Sequence, residues 1–164
     1  MRYAGAMKKS AGLLMYRHNA AGALEVLLAH PGGPFWKTKD EGAWTLPKGE
    51  YEEPEEALAA AQREFIEETG FPVTPPFLAL GEVVQKSGKR IAAWAFAGEC
   101  ETSRLRCNTF EMEWPPRSGR RQSYPEIDRV EWLELEAAER KINPAQRPLL
   151  TRLDKALAGQ AAAR

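Results

Sequence analysis

Residues 49–71 read GEYEEPEEALAAAQREFIEETGF, and their charge pattern governs the reading of the whole chain. Gly49 and Gly70 bracket the segment. Pro54 suits the first turn of a helix, where its missing N–H would have had no partner anyway. Gly70, followed by Phe71 and Pro72, reads as a helix stop: a left-handed cap, then a residue that cannot continue the ladder. The expected helix runs from Glu55 to Thr69, about four turns.

At roughly 100° per residue, Leu58, Ala61, Phe65 and Thr69 share one core-facing stripe. Glu64, Glu67 and Glu68 fall together on an adjacent arc, and Arg63 stands four residues before Glu67, where it can brace it. Two features are unfavourable for an ordinary surface helix. Three carboxylates at such spacing repel one another, and they occupy the last turns, where the helix dipole favours Lys or Arg. One reading is a solvated Glu-rich face. The other is a site for a hard divalent cation, which takes oxygen ligands and relieves the repulsion. Local rules broken this consistently point to a functional site.

The spacing goes further than the cluster. Gly49, five residues, Glu55, seven residues, then Arg63-Glu64-Phe65-Ile66-Glu67-Glu68-Thr69-Gly70-Phe71 matches the Nudix box at each position. Over about residues 8–158 the chain resembles a Nudix hydrolase. That resemblance implies hydrolysis of a nucleoside diphosphate linked to a second moiety X, with Mg2+ as cofactor and Mn2+ as a substitute. It also implies that Glu64, Glu67 and Glu68 bind metal and serve catalysis, that the Gly49 carbonyl completes the coordination, and that Glu55 and Arg63 support them. Tyr124-Pro125-Glu126-Ile127-Asp128 resembles the late segment of the diadenosine-polyphosphate and RNA 5′-pyrophosphohydrolase branch, which makes Glu126 a further ligand or base. Leu46-Pro47-Lys48-Gly49 and Gln146-Arg147-Pro148 resemble that branch too, whereas the loop before the box and the Arg117–Arg121 region depart from it.

Length and composition fit this reading. The 164 residues suit one domain, expected over 8–158 with 1–7 and 159–164 as loose tails. With 23 basic and 23 acidic residues the net charge is zero, which argues against broad binding to nucleic acid or membrane and leaves an RNA 5′ end as the exception. Cys100 and Cys107 have no zinc-knuckle spacing, and two isolated thiols suit a reducing compartment. The apolar run after Lys8-Lys9 ends at Arg17, too short for a signal peptide. The expected location is therefore cytoplasmic, as a monomer or homodimer without membrane contact. His18 and His30 read as structural or solvent-facing.

In chain order, strands are expected at Ser10–Arg17, Leu24–His30, Trp44–Pro47, Phe77–Gln85, Arg90–Gly98, Thr109–Trp114 and Val130–Leu133. Pro31–Gly42 and Pro115–Pro125 read as loops. Leu135–Lys141 and Arg147–Ala158 read as helices, the second amphipathic through Leu149, Leu150, Leu153 and Leu157. By pattern this is an α/β (α+β) sandwich. The resemblance makes it an α/β/α sandwich with a mixed sheet and the box as a loop–helix–loop. Lys48, Trp36 and Arg121 are the candidate substrate-binding residues: Lys48 and Arg121 for phosphate, Trp36 for a base. Three functions remain: hydrolysis of a dinucleoside polyphosphate or nucleoside triphosphate, removal of oxidised or non-standard nucleoside triphosphates, and a non-catalytic binding or regulatory domain. Retention of all the box carboxylates weighs against the last.

Overall fold

In the computed structural model, which describes residues 8–162, the apolar run at the start of the chain forms strand β1, Lys9–His18. Ala11, Leu13 and Met15 face one side of the sheet and Leu14 the other, all buried. Such a strand must lie between two covering layers. Strand β5 (Arg90–Ala97) runs parallel along one edge of β1, and β4 (Leu78–Val84) pairs antiparallel with β5. The other edge is shared between two partners. Strand β3 (Lys48–Glu50) takes Ser10–Gly12, and strand β2 (Leu24–Pro31) takes Tyr16–His18. Strand β8 (Ile127–Glu134) closes that side against β2, giving the order β4-β5-β1-β2-β8 with β3 on β1.

The shared edge matters for function, because β1 and β2 part after three residue pairs and the chain from Trp44 to Glu50 enters the gap. Thr45 and Ala29 exchange both backbone hydrogen bonds (2.8 and 2.9 Å), and the Leu13 N–H donates to the Pro47 carbonyl (3.2 Å). Trp44 and Leu46 are wholly buried there. Trp44–Pro47 was expected to be a strand; it forms isolated bridges, and the strand proper is the next three residues, Lys48–Glu50. An apolar buried run looks like a strand in sequence, but each edge here meets a different partner.

Helix α1 (Ala57–Thr69) covers one face through Ala60, Ala61 and Phe65. Helices α2 (Leu135–Lys141) and α3 (Arg147–Ala162) cover the other through Ala138, Leu149, Leu150 and Leu153. Each buried Leu or Phe contributes about 1.5–3 kcal/mol by leaving water. The α/β/α sandwich with a mixed sheet is thus as expected. Helix α1 starts two residues later than expected, with Glu56 as its extended cap and Pro54 in the preceding turn. Helix α3 continues to Ala162, through part of the expected 159–164 tail, while the 1–7 tail and residues 163–164 lie outside the described residues.

A further correction concerns Pro115–Pro125. Its last five residues are strand β7 (Arg121–Pro125), paired antiparallel with β6 (Thr109–Glu113) in a separate two-stranded ribbon. Arg-Gln-Ser-Tyr-Pro lacks the apolar alternation of a core strand, because neither ribbon strand enters the main sheet.

Candidate active site

The site forms where the wedge between β1 and β2 meets the last turns of α1. Register pairs Gly49 with Ala11, whose side chain faces α1. A Cβ at Gly49 would fall on the Glu64 carboxylate, so only glycine admits this close approach. One residue earlier, the Lys48 backbone N–H reaches Glu68 Oε1 (3.4 Å).

Arg63 organises the acids around it. Its guanidinium forks onto both Glu55 oxygens (2.8 and 2.9 Å) and places a third N–H between Glu64 and Glu67 (3.1 Å each). The Glu55 pair ties the entry turn to the helix, with the bidentate geometry that only arginine supplies. Hydrogen bonding to Glu55 raises the Arg63 pKa despite its burial, and the same bond lowers that of Glu55.

A cleft of about 470 Å³ opens over these groups. Glu64, Glu67, Glu68 and Glu126 supply its acids; Lys48 and Lys89 supply its cations, with Ser10 and Asn108 between. Burial pushes the Glu68 carboxyl up to about 8, against the pull of Lys48, and the charges of Glu64 and Glu126 raise it further. Burial also raises Glu64, while Arg63 opposes that shift. Lys48 is lowered, first by burial and then by the Lys89 charge. Lys89 itself pairs with Glu50 at 2.9 Å.

Glu64 and Glu68 are partly desolvated, repel one another and lie against the Gly49 backbone, and Arg63 and Lys48 offset the negative charge of the cluster only in part. This donor set fits a hard divalent cation. Arg63 holds Glu64 and Glu67, and among the described residues no three acidic, His or Cys side chains already form a closed ligand set. The buried Ser10 hydroxyl, with no hydrogen-bond partner, is a further polar group at this cleft.

Of the expected site residues, the cleft gathers Lys48, Gly49, Glu64, Glu67, Glu68 and Glu126, with Glu55 and Arg63 beside it. Glu126 is fixed through its backbone: its N–H donates to Asn108 O and its carbonyl accepts from Gly32 N, both at 2.9 Å. Trp36 and Arg121 do not line the cleft. Trp36 packs against the α2/α3-side core and edge-on to Phe35, and Arg121 lies on the ribbon near Glu111 (3.5 Å). Sequence reading missed Ser10, Lys89 and Asn108. Lys89 reads as a turn lysine until strand pairing carries the β4–β5 turn to the cleft. His30 is structural, as expected: it is fully buried, with its ring nitrogens at Asp128 Oδ1 (2.9 Å) and Lys39 O (2.6 Å).

A family model described as NUDIX domain matches residues 8–153. No curated protein matches the chain by sequence. Among solved structures, the C. elegans Ap4A hydrolase binary complex is similar at 24% identity and TM-score 0.65, over 92% of this chain and 98% of that one. The E. coli ORF135 protein in solution is similar at 21% identity and TM-score 0.60, over 96% and 97%. The NUDIX domain of Shewanella oneidensis NrtR complexed with ADP ribose is similar at 15% identity and TM-score 0.64, over 95% and 94%. At these identities the likeness is one of fold.

Proposed function

This chain belongs to the Nudix family of pyrophosphohydrolases, and from that membership and the loaded cleft we propose magnesium-dependent hydrolysis of a phosphoanhydride in a nucleoside diphosphate linked to X. The preferred substrate is a dinucleoside polyphosphate or a nucleoside triphosphate. The observation that carries this reading is the meeting of Glu64, Glu67, Glu68 and Glu126 with Lys48 in one cleft.

The substrate is a chain of negative charges that repels an attacking water. Glu64, Glu67, Glu68 and the Gly49 carbonyl would hold the divalent cation. A bound cation of this kind screens the diphosphate and makes a water more acidic. Lys48 and Lys89 meet the phosphate oxygens and orient the scissile bond. Lys48 forms no ion pair among the described residues, so its ammonium is available to an anion. Glu126, held at both backbone ends, accepts the proton of the attacking water or positions it. Glu55 and Arg63 keep the acids on one arc.

Membership of a family that includes dinucleoside polyphosphate hydrolases supports the substrate class, as does the similar fold of the C. elegans Ap4A hydrolase. No helix among the described residues is long and apolar enough to cross a membrane. Cys100 and Cys107 are unpaired thiols, which suits a reducing, cytoplasmic setting.

The test is a nucleotide panel assayed with magnesium, products resolved by chromatography. Glu68→Gln keeps the side-chain volume and removes the charge, so turnover should fall by a hundredfold or more while the fold is retained. Near-wild-type turnover in that variant at limiting magnesium overturns the proposal. Release of pyrophosphate from oxidised nucleoside triphosphates, in preference to all else on the panel, would move the substrate to the house-cleaning class.

A further inference from the structure

Strand β8 meets β2 through a fault, and the fault lies beside Glu126. The ladder keeps register from Glu25↔Glu134 to His30↔Arg129, then resumes at Pro31↔Ile127. Asp128 is the extra residue, with no backbone partner opposite it, which is the mark of a β-bulge. A bulge bends the strand that carries it and re-aims the side chains next to it. Here the bent chain brings the Glu126 carbonyl to the Gly32 N–H at 2.9 Å, just beyond the last paired residues. A Cβ at Gly32 would collide with the Pro125 carbonyl, so the two backbones touch there with no side chain between them.

One side chain holds the bulge from across the sheet. His30 is fully buried, with its ring edge-on to Trp44 at 5.1 Å. Its Nδ1 lies 2.9 Å from Asp128 Oδ1, and its Nε2 lies 2.6 Å from the Lys39 carbonyl. The ring thus ties the bulged residue of β8 to the chain that leads from β2 into the wedge. Asp128 Oδ1 also lies 3.6 Å from Arg129, but Arg129 belongs to β8 itself and cannot tie that strand to β2. The His30–Asp128 bond and the Gly32–Glu126 bond bracket Ile127, which is buried in the α1-side core.

We propose that His30 is a positioning residue for the hydrolytic reaction: through the bulged Asp128 it fixes the corner that presents Glu126 to the cleft. The inference rests on the hydrolase reading and on the part Glu126 plays in it. Loss of the Asp128 bond leaves the corner with the Gly32 and Asn108 backbone bonds alone, and the bulge is then free to slide along β2. A carboxylate that takes or orients a proton works at hydrogen-bond reach, where a shift of a fraction of an ångström lowers the rate.

Asp128 is partly exposed, so replacing it spares the core and tests the bond directly. Asp128→Ala removes the partner of the ring. Asp128→Asn is the conservative variant, because its amide can donate to Nδ1 while Nε2–H stays on the Lys39 carbonyl. Amide hydrogen exchange of the magnesium-free full chain, read by 15N NMR, should be tenfold or more faster at Gly32 in Asp128→Ala, with β1 amides unchanged. In Asp128→Asn it should return to within about threefold of wild type. With magnesium and the best nucleotide of the panel, Asp128→Ala should lower kcat tenfold or more and move KM less than twofold. Added to Glu126→Gln, the same change should lower kcat less than twofold further, because no carboxylate is left to aim. Unchanged exchange at Gly32, equal acceleration across the whole sheet, or no recovery in Asp128→Asn overturns the positioning role. So does full additivity with Glu126→Gln, or a wild-type kcat in Glu126→Gln itself. A wild-type protein that hydrolyses nothing on the panel overturns the hydrolase reading, whereas exchange at Gly32 still decides whether His30 and Asp128 fix the corner.

Discussion

Glu68 shows how a single side chain can be both an ordinary helix residue and a poorly solvated acid. Its carboxyl is pushed up to about 8, chiefly by burial, from an ordinary value near 4.3. A carboxyl raised on folding binds its proton more tightly in the native state, so the native protein gains from it at low pH and loses that gain as pH rises through about 8. Burial raises Glu64 as well, in the same sense. Glu25, Asp40, Glu50 and Glu55 are lowered instead, so their contributions vary on the acid side of the ordinary carboxylate range. Metal-free protein should therefore be less stable at pH 8 than at pH 5.5, by at most about 1.4 kcal/mol per pH unit. Urea titrations in EDTA at both pH values should show a smaller loss in Glu68→Gln. Magnesium should restore stability to the wild type at pH 8 by binding the native state. Equal pH slopes in the two proteins would contradict this account of the acid.

At the scale of elements, helix α1 was the most legible part of the chain, because its period, its stop and its charge arc all lie within one window. Gly70 sits in the left-handed region at φ 76° and donates its N–H to Ile66 O at 2.8 Å, as the stop signal implied. A Cβ there would also come within 3.0 Å of the Arg106 backbone carbonyl. Gly70→Ala should therefore lower stability by about 1–2 kcal/mol, measured as a lower urea midpoint with unchanged m. An unaltered midpoint would mean that the chain after α1 relaxes freely. Elsewhere local signals ran out where pairing partners are distant. Trp44–Pro47 carried the apolarity of a strand but not its ladder, and Arg121–Pro125 carried the ladder without the apolarity. Glu126 could be suspected from a short resemblance, but only the Asn108 and Gly32 backbone bonds show what aims it. Ser10 and Lys89 reach the cleft through β1 and the β4–β5 turn, far from the box in sequence.

For the whole molecule, the sheet separates two cores with different duties. On one face α1 packs through Phe65, which is fully buried and edge-on to Phe96 at 5.3 Å, and this helix carries the acids. On the other, α3 packs through Leu149, Leu150 and Leu153, and Arg152 ties it to β4 through the Leu80 and Glu82 carbonyls (3.0 and 2.9 Å). None of these α3 residues lines the cleft. Large-to-small changes in either core should destabilise by about 2–5 kcal/mol. Their catalytic effects should diverge. Leu150→Ala leaves a cavity behind the sheet, and the folded protein should retain kcat within about twofold. Phe65→Ala leaves it beneath the helix turn that bears Glu64 and Glu68, and tilting those carboxylates by a fraction of an ångström should cost tenfold or more in kcat. Denaturation midpoints and initial rates at a temperature where both variants are fully folded separate the two quantities. A proportional loss of activity in both would mean that the sheet transmits strain between its faces, and that the site is held by the whole sandwich instead of by the α1 layer.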